Sequence, residues 1–372
     1  MDLWASMLAA FLASLIGCWL IVKSALLRKI FSIQPAHNRW HKNATPGLGG
    51  VPIFFALAFA VIIFQGMSAL SAAILFSAFL LMALGAYDDL SALTPKTKLI
   101  GQFTTATLVL ILIAVQSSNS DITFYHLIKP SANTVSDNLI PLFYWCVFIG
   151  WIISITNAIN LLDNMDGLAG GVSLIACIAI ALIMRQSPEL VVTSNFYLTL
   201  SAPLAGFLVL NYNPAKLFMG DAGALWIGLV VAIGTLIAAT AQTTEPQQLH
   251  DVLISYRWLI PIVICAVPIS DTVMVVITRK LRGQPASEGG SDHLSHRLVC
   301  LGLNQRLAVG VLWFVAAVAA LLALLISAKP IDVWLLPLVI FFITITSAVT
   351  VLTHITCAPD GKAIKKSQLN SI

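Results

Sequence analysis

Eleven stretches of about twenty mostly apolar residues recur along the chain, at roughly 4–22, 48–66, 69–87, 99–116, 139–158, 168–185, 192–210, 223–241, 258–277, 307–327 and 331–353. A helix needs about 20 such residues to cross the hydrocarbon core of a bilayer. Inside lipid only helices and closed barrels satisfy their own backbone polar groups. Connections as short as "QGMSA" and "AKPID" leave no room for a soluble domain between spans. Only 10% of the residues are charged, against about a quarter in soluble proteins, and the mean hydropathy is +0.93. The chain therefore reads as an all-α polytopic integral membrane protein with about eleven transmembrane helices. One transmembrane domain covers 1–353, and a basic tail follows over 354–372.

Charge orients the spans. Asp2 stands where a secretory signal would carry basic residues, and Lys23, Arg28 and Lys29 follow the first span, the order of a retained anchor with its N-terminus outside. With loops alternating from there, Lys129, Arg185, Arg257 and Lys329 fall on one side. The other sixteen of the twenty Lys and Arg residues fall on the opposite side, which is thereby cytoplasmic and also holds the C-terminus. The net charge of +4 belongs to these loops, so no nucleic-acid partner is expected. The six cysteines are scattered without a CxxC pair and indicate neither a disulfide framework nor a zinc site.

The polar blocks separate by side. "HNRWHKNATPGLGG", "AYDDLSALTPKTK", "NAINLLDNMDGLAGG", "NYNPAKLFMGDAG" and "GGSDHLSHRLVCLGL" all face the cytoplasm, and the outer loops hold nothing comparable. Ordinary solvated loop ends would populate both faces, so the asymmetry points to one site on one face. Asp88 and Asp89 end a span at the negative pole of its dipole, which calls for a cation or a lysine such as Lys96 or Lys98. Neighbours on a helix point about 100° apart, so the pair is not one bidentate clamp; its plainer reading marks a water boundary. Asn157, Asn160, Asp163 and Asp166 recur every three residues. The amides fit the last turns of a span and the acids the opening chain beyond, where Gly167 permits a turn. In hydrocarbon each acid would cost ~3 kcal/mol; at a watery boundary, such oxygens suit a hard cation such as Mg2+. In "FMGDAG" Asp221 opens the next span, where anions are welcome, and Phe218 is either an ordinary interface aromatic or a platform for a base. His293, His296 and Arg297 lack the Glu and third ligand of a zinc site and suit phosphate oxygens better. Asp271 is either functional or a buried acid bonded to Thr272 or a neighbouring helix.

Five blocks together carry a resemblance: "HKNATPGLGG", "LGAYDDLSALTPKTKLIGQ", "NAINLLDNMDGLAGG", "GFLVLNYNPAKLFMGDAGALWIG" and "SDHLSHRLVCLG", in order from about 41 to 302. The chain resembles the polyprenyl-phosphate N-acetylhexosamine-1-phosphate transferases, in particular the bacterial branch that starts O-antigen, common-antigen or teichoic-acid linkage synthesis. The resemblance implies an eleven-span inner-membrane enzyme with its site on the cytoplasmic face, dependent on Mg2+ or Mn2+. It would pass N-acetylglucosamine 1-phosphate, or a related N-acetylhexosamine 1-phosphate, from a UDP-sugar to undecaprenyl phosphate and release UMP; a homodimer is compatible with it. By motif position Asp221 matches the metal ligand and Asn160 its neighbour on the metal or the donor diphosphate. Asp88 and Asp89 match the pair assigned to catalysis or acceptor placement, and Asp163 matches a donor-binding acid. Asp166 and Phe218 match uracil contacts, and Lys42, Thr45 and Lys98 match the lining of the phosphate cavity. His293, His296 and Arg297 match the loop that recognises the sugar phosphate, with His296 set against charge on the transferred group. The chain departs from the family pattern at Gly47, where a basic residue is usual, at Asn164, where Gly is, and at Ala224, where Ser is.

The competing class is a polytopic transporter, or a lipid-linked sugar-binding protein, that uses the same acidic cavity. Transporters place ionisable groups near the midplane and carry inverted repeats; here the polar groups collect at one interface, and no internal repeat is evident. The topology is directly testable. Cysteines introduced as Asn43→Cys, Thr94→Cys and Gly290→Cys should react with an impermeant thiol reagent only from the cytoplasm, and Ser131→Cys only from outside. Outside labelling at 290 would break the single-face arrangement.

Overall fold

The computed structural model describes residues 2–33, 44–116, 135–241, 256–281, 283 and 292–328. Lys42, the expected span at 331–353 and the basic tail at 354–372 lie outside the described residues. The helices are α1 (Leu3–Lys23), α2 (Ala25–Phe31), α3 (Gly50–Ala60), α4 (Ala69–Leu90), α5 (Pro95–Gln116), α6 (Val135–Leu162), α7 (Leu168–Met184), α8 (Val191–Asn211), α9 (Asp221–Thr240), α10 (Leu259–Ile264), α11 (Ala266–Leu281), α12 (Leu294–Cys300) and α13 (Gln305–Ala328). β1 (Ser32–Ile33) and β2 (Thr45–Pro46) form a two-residue antiparallel pair, Ser32 opposite Pro46 and Ile33 opposite Thr45.

Seven helices among the described residues are long and apolar enough to cross a membrane, and Gly50–Gln65 and Leu168–Met184 are shorter apolar helices. The protein is thus a helical membrane protein. Trp4, Val115 and Phe314 stand on its outer surface, as side chains solvated by lipid do. The stretch expected as one span at 258–277 is instead two helices, α10 and α11, parted at Cys265. Pro268 has no N–H to return to the carbonyl of Ile264, which removes the hydrogen bond that would carry one helix through. Cys300 is disulfide-bonded, a pairing that the scattered cysteines did not foreshadow; Cys18, Cys146, Cys177 and Cys265 are free thiols.

Burial orders the bundle around α9. Its sequence is apolar on every face, a pattern shared by core helices and membrane spans, and its spanning segment is 100% buried, which places it within protein. Helices α3, α4, α6, α7 and α10 pack around it. Trp226 meets the edge of Phe54 at 5.6 Å, and the Tyr197 hydroxyl of α8 donates to Val230 O at 2.9 Å.

Two glycines set how closely the chain approaches the start of α9. Gly220 precedes it at φ 71°, and a Cβ there would lie 2.0 Å from the carbonyl oxygen of Gly47. Gly85 on α4 lies against the first peptide of α9, and a Cβ there would stand 2.2 Å from Asp221 O and 2.4 Å from its carbonyl carbon. Backbone cannot swing aside as a side chain does. Gly85→Ala is therefore expected to destabilise the protein by ~1–3 kcal/mol, the usual cost of overpacking. The measurement is thermal unfolding of detergent-solubilised protein against Gly310→Ala, where a Cβ meets nothing within 4 Å. Equal melting of the two variants would show that the α4–α9 approach is not tight.

Candidate functional site

The first backbone N–H groups of helix α9 have no helical partners. Carboxylates from two other segments take them. Asp89, at the end of α4, accepts from Asp221 N at 3.1 Å with one oxygen and from Ala222 N at 3.0 Å with the other. Asp163, just past α6, accepts from the Gly220 backbone N–H. Both acids face the positive end of the α9 dipole, the favourable pole for an anion. Asp163 is half-buried and pushed up to about 7, first by desolvation and then by the nearby charges of Asp221, Asp89 and Asp166.

The neighbouring Asp88 points elsewhere, as residues about 100° apart on a helix must. One of its oxygens accepts from Leu93 N at 2.6 Å and the other lies 3.0 Å from the Lys98 ammonium. Lys98 also pairs with Asp221 and sits 3.4 Å from Asn160 Oδ1. The Asn160 amide donates to the second Asp221 oxygen at 2.7 Å. Of the two lysines suggested by sequence, Lys98 takes the role and Lys96 remains exposed.

A residue missed by sequence reading supports this group. Gln102 lies one turn beyond Lys98 on α5, is 2% exposed, and exchanges hydrogen bonds with Asn157 on α6 at 3.2 and 2.6 Å. Lys98 meets Asn160 and Gln102 meets Asn157, so an ascending position on one helix meets a descending one on the other, the register of an antiparallel pair. The available signal was the i, i+4 spacing of two polar groups on an apolar helix.

The remaining polar blocks join the same end of the bundle. The chain leaves α6 at Leu162 and turns through Gly167 at φ 80°, where Gly167 N donates to Asn211 Oδ1 at 2.9 Å. Asp166 accepts from Asn213 Nδ2 and Ala215 N, both at 2.9 Å, holding the 213–215 loop to that turn. Phe218 is anchored through its backbone: its N–H donates to Pro46 O at 2.8 Å and its carbonyl accepts from Gly49 N at 2.8 Å, while its side chain stays half-buried. The buried Thr45 lies beside this ladder in β2.

The histidine block forms α12, and α11 holds it. Asp271, fully buried, places one oxygen 2.7 Å from His293 Nδ1 and accepts from Leu294 N at 2.6 Å with the other. Its partners are thus His293 and the start of α12, and not Thr272. Arg279 grips Asp292 through two 3.0 Å bonds. Burial raises the Asp292 carboxyl, yet the guanidinium outweighs it and holds the group below the usual carboxylate range. Arg297, 3% exposed, donates through Nε to Asp292 O and through one Nη to Thr278 Oγ1, each at 3.0 Å. The His293 and His296 rings stand 5.8 Å apart, and Ser295 bonds to Asn164 at 2.5 Å. Hydrogen bonds thus link all five polar blocks at one end of the bundle, except Lys42, which lies outside the described residues.

The donors facing the Lys98 ammonium are hard oxygens from Asp88, Asp221 and Asn160. Among the described residues no group of three or more His, Cys, Asp or Glu side chains is placed to hold a metal ion. Two carboxylates with an amide oxygen fit a cation such as Mg2+, which is commonly bound through one or two carboxylates, waters and substrate phosphates.

Residues 71–239 match the sequence pattern of Glycosyl transferase family 4. The chain is 31% identical over 367 residues to a Bacillus subtilis protein named "Probable undecaprenyl-phosphate N-acetylglucosaminyl 1-phosphate transferase", covering 96% of each chain. It is 29% identical to the decaprenyl-phosphate N-acetylglucosaminephosphotransferase of Mycolicibacterium smegmatis, over 74% of this chain and 70% of that one. It is 27% identical to the phospho-N-acetylmuramoyl-pentapeptide-transferase of Prochlorococcus marinus, over 85% of both.

Among the histidines, His296 gives a readable titration. Burial, and after it the neighbouring His293, pushes the imidazole down from 6.5 to about 4. An unfolded chain takes up that proton first, so the stabilisation is complete above about pH 6.5 and is lost as pH falls toward 4. The melting temperature should fall across that window, and His296→Gln should flatten the fall. A variant that keeps the wild-type slope would mean that His296 is not buried in its neutral form.

Proposed function

The chain belongs to glycosyl transferase family 4 and to its polyprenyl-phosphate N-acetylhexosamine-1-phosphate transferases, and from the site we propose which transfer it performs. It moves N-acetylglucosamine 1-phosphate from UDP-N-acetylglucosamine to undecaprenyl phosphate, releasing UMP and starting an envelope polysaccharide. The proposed setting is the cytoplasmic face of a bacterial inner membrane, in an eleven-span protein with its N-terminus outside. The observation that carries this reading is the convergence of Asp88, Lys98, Asn160 and Asp221 at one end of a lipid-solvated bundle. Hard oxygens beside a fixed ammonium are what a diphosphate donor and a phosphate acceptor need in order to approach each other. The transporter alternative is not favoured, because the relatives described above bear the names of transferases.

Mg2+ bound by Asp221, with Asn160 beside it, would supply charge neutralisation at the donor diphosphate. The chain's own groups do the rest. Lys98 lies between two acids and carries positive charge to the phosphate cavity, with Thr45 assigned to the same cavity. Asp163 and Asp166, on the turn after α6, bind the donor, with Asp166 and Phe218 at its uracil. His293, His296 and Arg297 close over the sugar phosphate. His296 is neutral near pH 7 and its ring N–H is taken by the Asn164 carbonyl, so it brings no positive charge to the sugar phosphate.

A phosphate monoester has a second pKa of about 6, so the acceptor is mostly dianionic near pH 7 and needs no strong base. One acceptor oxygen attacks the donor β-phosphorus. The bond from that phosphorus to the bridging oxygen breaks, and UMP leaves with the oxygen. Asp88 orients the acceptor. Asp89 acts beside it through α9, since both its oxygens already accept backbone N–H groups, an arrangement that supports a single displacement over an aspartyl intermediate.

Purified protein given UDP-N-acetylglucosamine, Mg2+ and undecaprenyl phosphate should release UMP. No release across a panel of UDP-sugars, from folded protein, would return the reading to a transporter or binding protein. Asp221→Asn should abolish release with the fold intact, because Asp89 bonds to the backbone of 221 and 222 and not to the altered side chain. Asn160→Ala should raise the Mg2+ requirement with a smaller loss of rate. Near-normal turnover of Asp221→Asn at unchanged Mg2+ dependence would remove Asp221 from the site.

A further inference from the structure

Asn164 departs from the glycine usual at this place in the family pattern, and the structure gives its side chain two tasks. Its Nδ2 donates to Leu161 O at 2.8 Å, one of the carbonyls left without a helical partner at the end of α6. Its Oδ1 accepts from the Ser295 hydroxyl at 2.5 Å, and its backbone carbonyl accepts from the His296 ring. Ser295 has no exposed surface and His296 is 4% exposed, so neither group has water to fall back on. Asp271 and Thr278 tie α12 to α11. Asn164 supplies a polar tie in the other direction, to the turn that carries Asp163 and Asp166.

We propose that Asn164 is a positioning residue that clasps the histidine helix α12 to the aspartate turn 163–167 and so fixes the histidines relative to Asp221. The proposal rests on the transferase reading for its kinetic consequence but not for the clasp itself. A glycine at 164 would leave the Ser295 hydroxyl as a buried orphan and free the end of α6 from its side-chain bond. The histidines would then sample positions in which the sugar phosphate is bound but misplaced, which lowers turnover with the donor. The acceptor, placed from the Asp88 side, would be spared.

The test is a double-mutant cycle of Asn164→Gly and Ser295→Ala in the UMP assay, with hydrogen exchange of α12 measured in the same purified proteins. Each single change should lower kcat/KM for the UDP-sugar by about 10-fold, the scale of one buried hydrogen bond. The double variant should be no worse than Asn164→Gly alone, and the apparent KM for undecaprenyl phosphate should not move. Amides of Leu294–Cys300 should exchange faster in Asn164→Gly while those of α9 do not. If Asn164→Gly does not fold, Ser295→Ala, which removes a single oxygen, takes both measurements. Faster exchange in a protein whose wild type releases no UMP would uphold the clasp and defeat the transferase reading. Additive losses, or unchanged exchange and kinetics in an active enzyme, would overturn the clasp.

Discussion

The site depends on one constraint, the unpaired backbone N–H groups at the N-terminus of α9, which is packed against other segments. A helix start surrounded by water has its amides solvated at no cost to its neighbours. A start packed against other segments can take its acceptors from them, and an anion there also meets the positive pole of the dipole. Asp89 and Asp163 supply those acceptors from α4 and from the turn after α6. The chain thereby fixes Asp221 by its own backbone, between two segments that carry the other acids. Gly85 and Gly220 let α4 and the 45–50 segment come near enough for these bonds to form.

Fixing Asp221 concentrates negative charge, and the second layer of the site compensates for it. Lys98 reaches Asp88 and Asp221 together, and Asn160 divides its amide between Asp221 and the lysine. Below them the Gln102–Asn157 pair ties α5 to α6, so the reach of Lys98 is set by a buried amide bridge and not by a loop. Polar groups of this kind are costly in lipid unless paired. The ladder pairs them with one another and leaves Lys98 and Asp221 partly accessible at its open end.

The histidine helix is built differently. Its seven residues are too short to hold themselves, and side chains brace it against α11: Asp271 of α11 on His293, Arg279 of α11 on Asp292, and its own Arg297 on Thr278 and the Asp292 carbonyl. Two of the Arg297 donors are thus directed to the chain itself, so the residue holds the segment that carries the histidines.

The apolar periodicity determined by itself that the chain is helical and lipid-solvated, because about twenty uncharged residues have no other stable use in such numbers. It also separated the polar blocks onto one side, and their motifs carried the family. Asp88, Lys98, Asn160 and Asp221 were legible because ionisable and amide groups are conspicuous against 59% hydrophobic residues. Other features had no local signal. Nothing in "DD" says that one aspartate pairs with a lysine while its neighbour caps a helix 132 residues away. Nothing in "LIGQ" says that Gln102 meets Asn157, and nothing in "DNMD" says that Asn164 receives Ser295. The burial of α9 was decided by packing as well. Sequence records which groups need partners; only tertiary structure assigns them, because a hydrogen bond depends on distances set by helices far apart in the chain.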